Sequence, residues 1–272
     1  MPLDRQHKNV DYRPCEVEHR YGKNVHILNN PYLLSVLTEF CSSKTTLPLL
    51  NTHIEILYSH LLTEAINCLF PRETVTVETR MKKLVKEGVF EGDVVARQSK
   101  VVCVNLARAG SLPTHVCFNI LNYLLNPELL RQDHFYLNRK TNAQGMVVGV
   151  DVSGSKIGGD QDGAFVIFAD PMGATGGSLS HCIGHYKEKV AGKAKKYIAL
   201  NLIITPEYVK RMQKDHQDLQ IFALRLDRGL SSKKVLESVP GTFPDEEIGL
   251  SNIQYIVPGA GGVGEILNNS FV

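Results

Sequence analysis

The central part of this chain limits the folds open to it more than any other feature. Four short, continuous apolar runs, "KVVCVNLA", "AFVIFA", "KYIALNLII" and "LQIFALRL", lie between residues 100 and 226, with segments of other patterning between them. A strand with one wet face alternates apolar with polar residues, whereas runs like these belong to strands covered on both faces. The intervening "SLPTHVCFNILNYLLNPELL", the stretch from about Ser178 to Val190 and "TPEYVKRMQKDH", with Pro206 at its start, read as helices. Strands that alternate with helices imply βαβ units. The expected fold is therefore α/β, with a mostly parallel sheet flanked by helices.

The flanking segments add detail. Apolar residues from Asn30 to Phe70 recur at helical spacing and predict two amphipathic helices, broken near "CSSKTTLP". "ETVTVETRM" reads as a half-exposed strand, "HFYLN" as another, and "GMVVGVDVS" as a hairpin or flap. Residues 1–24 are polar and aperiodic and read as an arm. Residues 25–272 read as one domain, with 229–254 as an inserted surface loop. "IQYIVPGAGGVGEILNN" closes the chain as a short strand and a glycine-rich turn.

Composition narrows the partners. The formal charge of +2 is too mild to predict a nucleic-acid or membrane partner. The six cysteines show no paired or zinc-type spacing and suit a reducing, cytoplasmic setting, with no metal bound directly by protein side chains. The polar N-terminus carries no apolar core of a signal peptide.

Three stretches carry candidate chemistry. In a sheet of this kind, ligands sit at the carboxyl ends of the strands. "AFVIFAD" delivers Asp170 to that edge, and Pro171, Met172, Gly173, Ala174, Thr175, Gly176, Gly177 and Ser178 follow into a helix. Glycines let backbone N–H groups turn inward, and a helix N-terminus adds partial positive charge, so the loop reads as a phosphate cradle with an acid beside it. A turn that only reverses the chain would use similar residues. GxxxxGK[ST] and GxGxxG are both absent. Arg108, Ala109 and Gly110 follow the first apolar run, where an arginine can pair with phosphate oxygens. Tyr255 and Ile256 lead into Gly261, Gly262 and Val263, where exposed backbone could read a flat heterocycle.

Together these stretches resemble the uracil phosphoribosyltransferase family. "DPMGATGGS" at 170–178 is similar to that family's "DPMLATGGS", "LARAG" at 106–110 to its "ILRAG", and "YIVPGAGGVGEI" from 255 to its "YIIPGLGDAGDR". The resemblance implies a phosphoribosyltransferase-type core with a flap and a small base-binding hood. It implies transfer of phosphoribosyl from phosphoribosyl pyrophosphate to uracil, giving UMP, with Mg2+ entering on the pyrophosphate and a homo-oligomeric assembly. Arg108 and Asp170 would be catalytic. The 170–178 loop, Arg108 to Gly110 and Arg139 would hold phosphoribosyl pyrophosphate. Tyr255, Ile256, Gly261, Gly262 and Val263 would frame the base.

The departures fall at the base end. Gly262 stands where the family carries an aspartate, Val263 where it carries alanine, and Glu265 and Ile266 where it carries an Asp-Arg pair. Two readings stay open: an active uracil phosphoribosyltransferase, or a catalytically weak homologue that binds phosphoribosyl pyrophosphate or a nucleotide as a sensor.

Overall fold

Both faces of the central strands are buried, as their composition requires. The computed structural model describes Asp4, residues 6–141 and residues 147–270, with the side chains of 138–152 outside the description. In chain order the elements are β1 (Val25–Ile27), α1 (Pro31–Phe40), α2 (Leu49–Leu69), β2 (Arg72–Glu78), β3 (Val89–Val95), β4 (Val101–Ala107), α3 (Ser111–Leu124), β5 (Leu130–Thr141), β6 (Val147–Lys156), β7 (Phe165–Ala169), β8 (Met172–Gly173), α4 (Gly177–Lys189), β9 (Lys196–Ile204), α5 (Pro206–Asp215), β10 (Gln220–Leu226), α6 (Lys233–Leu236) and α7 (Val263–Asn268).

The main sheet runs β1-β10-β9-β7-β4-β5-β6, with β8 pairing onto the end of β9. Every pair is parallel except β5 with β6. This is the α/β architecture expected from the four apolar runs. The stretch expected as a hairpin or flap, 145–153, lies mostly on β6, which pairs antiparallel with β5, and residues 142–146 between the two strands are outside the described residues.

Side-chain alternation divides the core in two. Val101, Cys103, Phe165, Ile167, Ile198 and Leu200 face α1, α2 and α3. Val102, Val104, Val166, Phe168 and Ala199 face α4 and α5. Each fully buried large apolar side chain contributes roughly 1.5–3 kcal/mol. The helix starts are written locally: Asn30 caps α1 by accepting from the Leu33 N–H at 3.1 Å, and Thr205 caps α5 by accepting from the Tyr208 N–H at 3.0 Å.

Three local differences from the sequence expectations stand out. β2 has an antiparallel partner, β3, that the sequence hides because Glu91, Gly92 and Asp93 interrupt its apolar pattern. The strand expected near Tyr255 is reduced to a single bridge, Leu250 with Ile256. The glycine-rich turn after it runs into α7, masked in the sequence by Gly262 and Gly264.

The polar ends of the chain are tied to the body. Glu16 bridges to Leu28, and Tyr21 is 6% exposed with its hydroxyl donating to Glu247. Glu247 lies in the irregular stretch after β10. It is buried, pairs with Arg228 at 2.8 Å and accepts from the Gly241 N–H at 2.8 Å. Among the described residues no helix is long and apolar enough to cross a membrane.

Candidate active site

The loop after β7 is zipped to the end of β9 by its own backbone. The Asp170 N–H donates to the Leu200 carbonyl at 3.1 Å, and Asn201 Nδ2 donates to the Asp170 carbonyl at 2.7 Å. The Pro171 carbonyl accepts from the N–H groups of Leu202 and Ile203 at 3.0 and 3.1 Å. The Gly173 carbonyl accepts from the Thr205 N–H at 3.1 Å, and the Ala174 carbonyl accepts from Thr205 Oγ1 at 2.7 Å. With its carbonyls engaged on this side, the loop presents amides at the mouth of α4. The Ser178 and Leu179 N–H groups head that helix, where no intrahelical acceptor exists. Gly176 sits at φ +73, a backbone conformation that favours glycine.

A cleft of about 540 Å3, counting its open mouth, lies over this loop. Asp170, Met172, the stretch from Ala174 to Leu179, Tyr208 and Gln254 line it. Asp170 is the single carboxylate in the lining. Pro171 and Gly173 are buried and brace the loop from behind. Beneath it, Tyr58 and Tyr208 have hydroxyl pKa values held well above the ordinary value, chiefly by burial and then by the charge of Asp170. Burial, and then Asp170, also pushes the Cys182 thiol up. The cleft therefore offers anion-binding amides, hydroxyls and one carboxylate, with no ionised nucleophile beneath it.

The second motif leaves the neighbouring strand. β4 and β7 pair in parallel, Val104 opposite Phe168, so Arg108 and Asp170 emerge at the same sheet edge. A β-carbon on Gly110 would stand 2.8 Å from the Leu106 carbonyl oxygen and 2.9 Å from that of Ala169. Only glycine lets the Arg108 turn lie against the end of β7. The Ala107–Arg108 peptide is cis. Arg108 Nη1 donates to the Ser270 carbonyl at 2.9 Å and to Ser270 Oγ at 2.8 Å. Arg139 lies on β5 opposite Val150, and its side chain is outside the described residues.

The third motif closes over the helix side of the sheet. Ile256 and Val263 are buried in the core against α1–α3, 8% and 4% exposed, while Tyr255 is 40% exposed. Asp227 Oδ2 accepts from the Gly259 N–H at 2.7 Å, and Arg225 Nη2 donates to the Gly259 carbonyl at 3.1 Å, which fixes the start of the glycine-rich turn. Gly261 has φ +73. A β-carbon on Gly262 would fall inside the Glu265 carboxylate. Thus the loop from 170 to 178 forms the cleft and the Arg108–Gly110 turn lies against the end of β7, while Gln254 reaches the cleft and none of Tyr255, Ile256, Gly261, Gly262 and Val263 lines it.

Gln254, Asn201, Tyr208 and Thr205 were not singled out in the sequence. Thr205 was findable, because a Thr-Pro-Glu at the end of a strand signals a helix cap. Gln254 was not: it reaches the cleft from a backbone at φ +63 that its residue type does not announce. Among the described residues no group of three His, Cys, Asp or Glu side chains could hold a metal ion.

A mostly parallel sheet with a phosphate-type cradle and an arginine turn at adjacent carboxyl edges defines an α/β protein of the phosphoribosyltransferase type. The chain belongs to the uracil phosphoribosyltransferase family, whose model matches residues 27–245. The matched region includes the cradle and the Arg108 turn and ends before the glycine-rich turn at 259–264. The chain is 39% identical to the uracil phosphoribosyltransferase of Chlamydia muridarum over 87 residues, 32% of this chain and 28% of that protein. It spans under a third of that relative's length. It is 24% identical to the uracil phosphoribosyltransferase of Thermococcus sibiricus over 250 residues, 91% of this chain and 90% of that protein. The solved structure of the AQ2163 protein from Aquifex aeolicus superposes with a TM-score of 0.66 at 19% identity, covering 89% of this chain and 97% of that one.

Proposed function

We propose that this protein transfers phosphoribosyl from phosphoribosyl pyrophosphate to uracil, giving UMP and diphosphate in pyrimidine salvage. The observation that carries this reading is the contact of Gly110 with the Ala169 carbonyl, which sets the Arg108 turn beside Asp170 and the amide cradle. A ribose bearing phosphate groups at both ends needs two anion sites one sugar apart. In this reading the amides and hydroxyls from Thr175 to Ser178 bind the 5′-phosphate. Asp170 accepts from the ribose hydroxyls and stabilises positive charge on the ring as the bond from C1′ to the diphosphate oxygen breaks. Arg108 neutralises the departing diphosphate. A uracil ring nitrogen forms the new bond to C1′ and loses its proton to solvent. No side chain of the cradle serves as a base, so orientation and leaving-group electrostatics supply the rate.

Mg2+ fits the residues present. This ion is commonly held by substrate phosphates, waters and one or two carboxylates, and Asp170 is the carboxylate in the cleft. Bound with the pyrophosphate, it would neutralise part of the leaving group's charge. A reducing, cytoplasmic location suits six free cysteines.

A homo-oligomer is supported by the β2–β3 hairpin. It forms a sheet of its own, and an isolated two-stranded hairpin is marginal in water. It and its connection expose Val77, Met81, Leu84, Val85 and Phe90.

The test is turnover of labelled uracil with phosphoribosyl pyrophosphate and Mg2+. UMP forms with the wild-type chain, and Asp170→Asn and Arg108→Ala each lower kcat/KM by roughly 10²-fold or more. Turnover unchanged in both variants contradicts the assignment. Binding of phosphoribosyl pyrophosphate with no turnover supports a sensor instead.

A further inference from the structure

We propose that the exposed end of α7 and the turn after it, Asn268 to Ser270, form an internal latch, competing with diphosphate-bearing ligands for the Arg108 guanidinium. The proposal rests on the diphosphate reading of Arg108 given above. Nη1 of Arg108 donates to both the carbonyl and the hydroxyl of Ser270, at 2.9 and 2.8 Å. That nitrogen carries two hydrogens, so both are engaged. These two oxygens use up the donors of a nitrogen that a phosphate on this arginine would also draw on.

The latch is built by local geometry. Asn269 adopts φ +47 and ends α7, and the Ser270 N–H donates to the Glu265 carbonyl at 3.1 Å. That reversal aims the last described residue back at the turn. The body of α7 approaches the same turn, since a β-carbon on Gly264 would stand 3.5 Å from Ala109 Cβ. One short segment therefore approaches Ala109 and occupies one terminal nitrogen of Arg108.

Release costs little. Asn268, Asn269 and Ser270 are exposed, so freeing them uncovers almost no apolar surface, whereas Val263, Ile266 and Leu267 of α7 pack on the core and stay docked. The pivot lies at Asn269, which leaves the helix at φ +47. A diphosphate arriving at Arg108 meets an occupied donor and displaces Ser270.

Calorimetric titration of inorganic diphosphate tests this with the full chain, a chain ending at Asn269, and Ser270→Asp. The shortened chain binds diphosphate roughly five- to tenfold more tightly than the full chain, and Ser270→Asp, which sets a carboxylate beside the guanidinium, binds more weakly. If the shortened chain does not unfold cooperatively, Ser270→Gly replaces it; this variant keeps the carbonyl and loses the hydroxyl, with a tightening of roughly two- to threefold expected. Equal affinities across these proteins overturn the latch while leaving Arg108 as a diphosphate ligand. No binding to any of them overturns the reading of Arg108, and the latch with it.

Discussion

The carboxylate of Glu265 occupies the space where a side chain at Gly262 would begin. The two positions are one helical turn apart at the start of α7, with Gly262 as the cap residue and Glu265 in the first turn. The family's aspartate is absent from position 262, and a carboxylate from three residues further on fills the same place.

Gly262→Asp therefore drives two carboxylates together. The Glu265 side chain is flexible and half-exposed and swings aside, so stability falls by no more than about 1 kcal/mol, chiefly from like charges held close. In a Glu265→Ala background the same substitution becomes neutral or stabilising, because aspartate is a favourable helix cap. Denaturant unfolding of the two single variants and the double variant reads the coupling directly. Additive effects would show that the two positions do not share this space.

Thr205 ties the cradle to α5. Its hydroxyl donates to the Ala174 carbonyl at 2.7 Å while accepting from the Tyr208 N–H at 3.0 Å. Thr205→Val removes a cap worth about 1 kcal/mol and strands a carbonyl at a cost of about 1–3 kcal/mol, so stability falls by about 2–4 kcal/mol. Thr205→Ser keeps most of both. The UMP affinity of the Val variant falls with stability, and calorimetry checks it.

Glu247 anchors the irregular stretch after β10. It pairs with Arg228 and accepts from Tyr21, whose hydroxyl stays protonated because burial, and then Glu247 itself, raise its pKa far above the ordinary value. Glu247→Ala removes the carboxylate from half-buried Arg228, which keeps the Leu236 and Ser238 carbonyls, and strands the Tyr21 hydroxyl and the Gly241 N–H, at a cost of about 1.5–3 kcal/mol. Tyr21→Phe leaves the ion pair in place and costs about 0.5–1.5 kcal/mol. Urea midpoints of the two variants separate the effects.

His216 makes the fold sensitive to acid. Burial chiefly lowers its pKa from the ordinary 6.5, and its Nε2–H donates to the Ser180 carbonyl at 2.9 Å. As pH falls through about 6.5, the unfolded chain takes up this proton before the folded one does. Stability is therefore full above that pH and declines below it, down to the folded pKa. His216→Gln flattens this decline. Part of it remains, since the pKa values of His19 and His185 are also lowered, chiefly by burial. Thermal midpoints between pH 7.5 and 5.5 give the slope.

The sequence disclosed what burial and backbone chemistry write locally. β4, β7, β9 and β10 were legible because two covered faces leave only apolar residues. The 170–178 loop was legible as a loop-to-helix junction because an apolar strand ends on Asp170 and a run of glycines and hydroxyls follows it. β3 was hidden because both faces of its hairpin are largely exposed, so no apolar alternation is imposed. Asn201 and Thr205 reach the cradle through the β7–β9 register, and Ser270 reaches Arg108 across 162 positions. No local pattern encodes such contacts.

The most direct test of the central claim offers the protein a choice of acceptors. Uracil, cytosine, thymine, adenine and hypoxanthine are supplied together with phosphoribosyl pyrophosphate and Mg2+, and the nucleotide products are identified by mass. UMP as the dominant product, with equimolar diphosphate, is the predicted result. A purine nucleotide as the main product, or no nucleotide despite bound phosphoribosyl pyrophosphate, would contradict it.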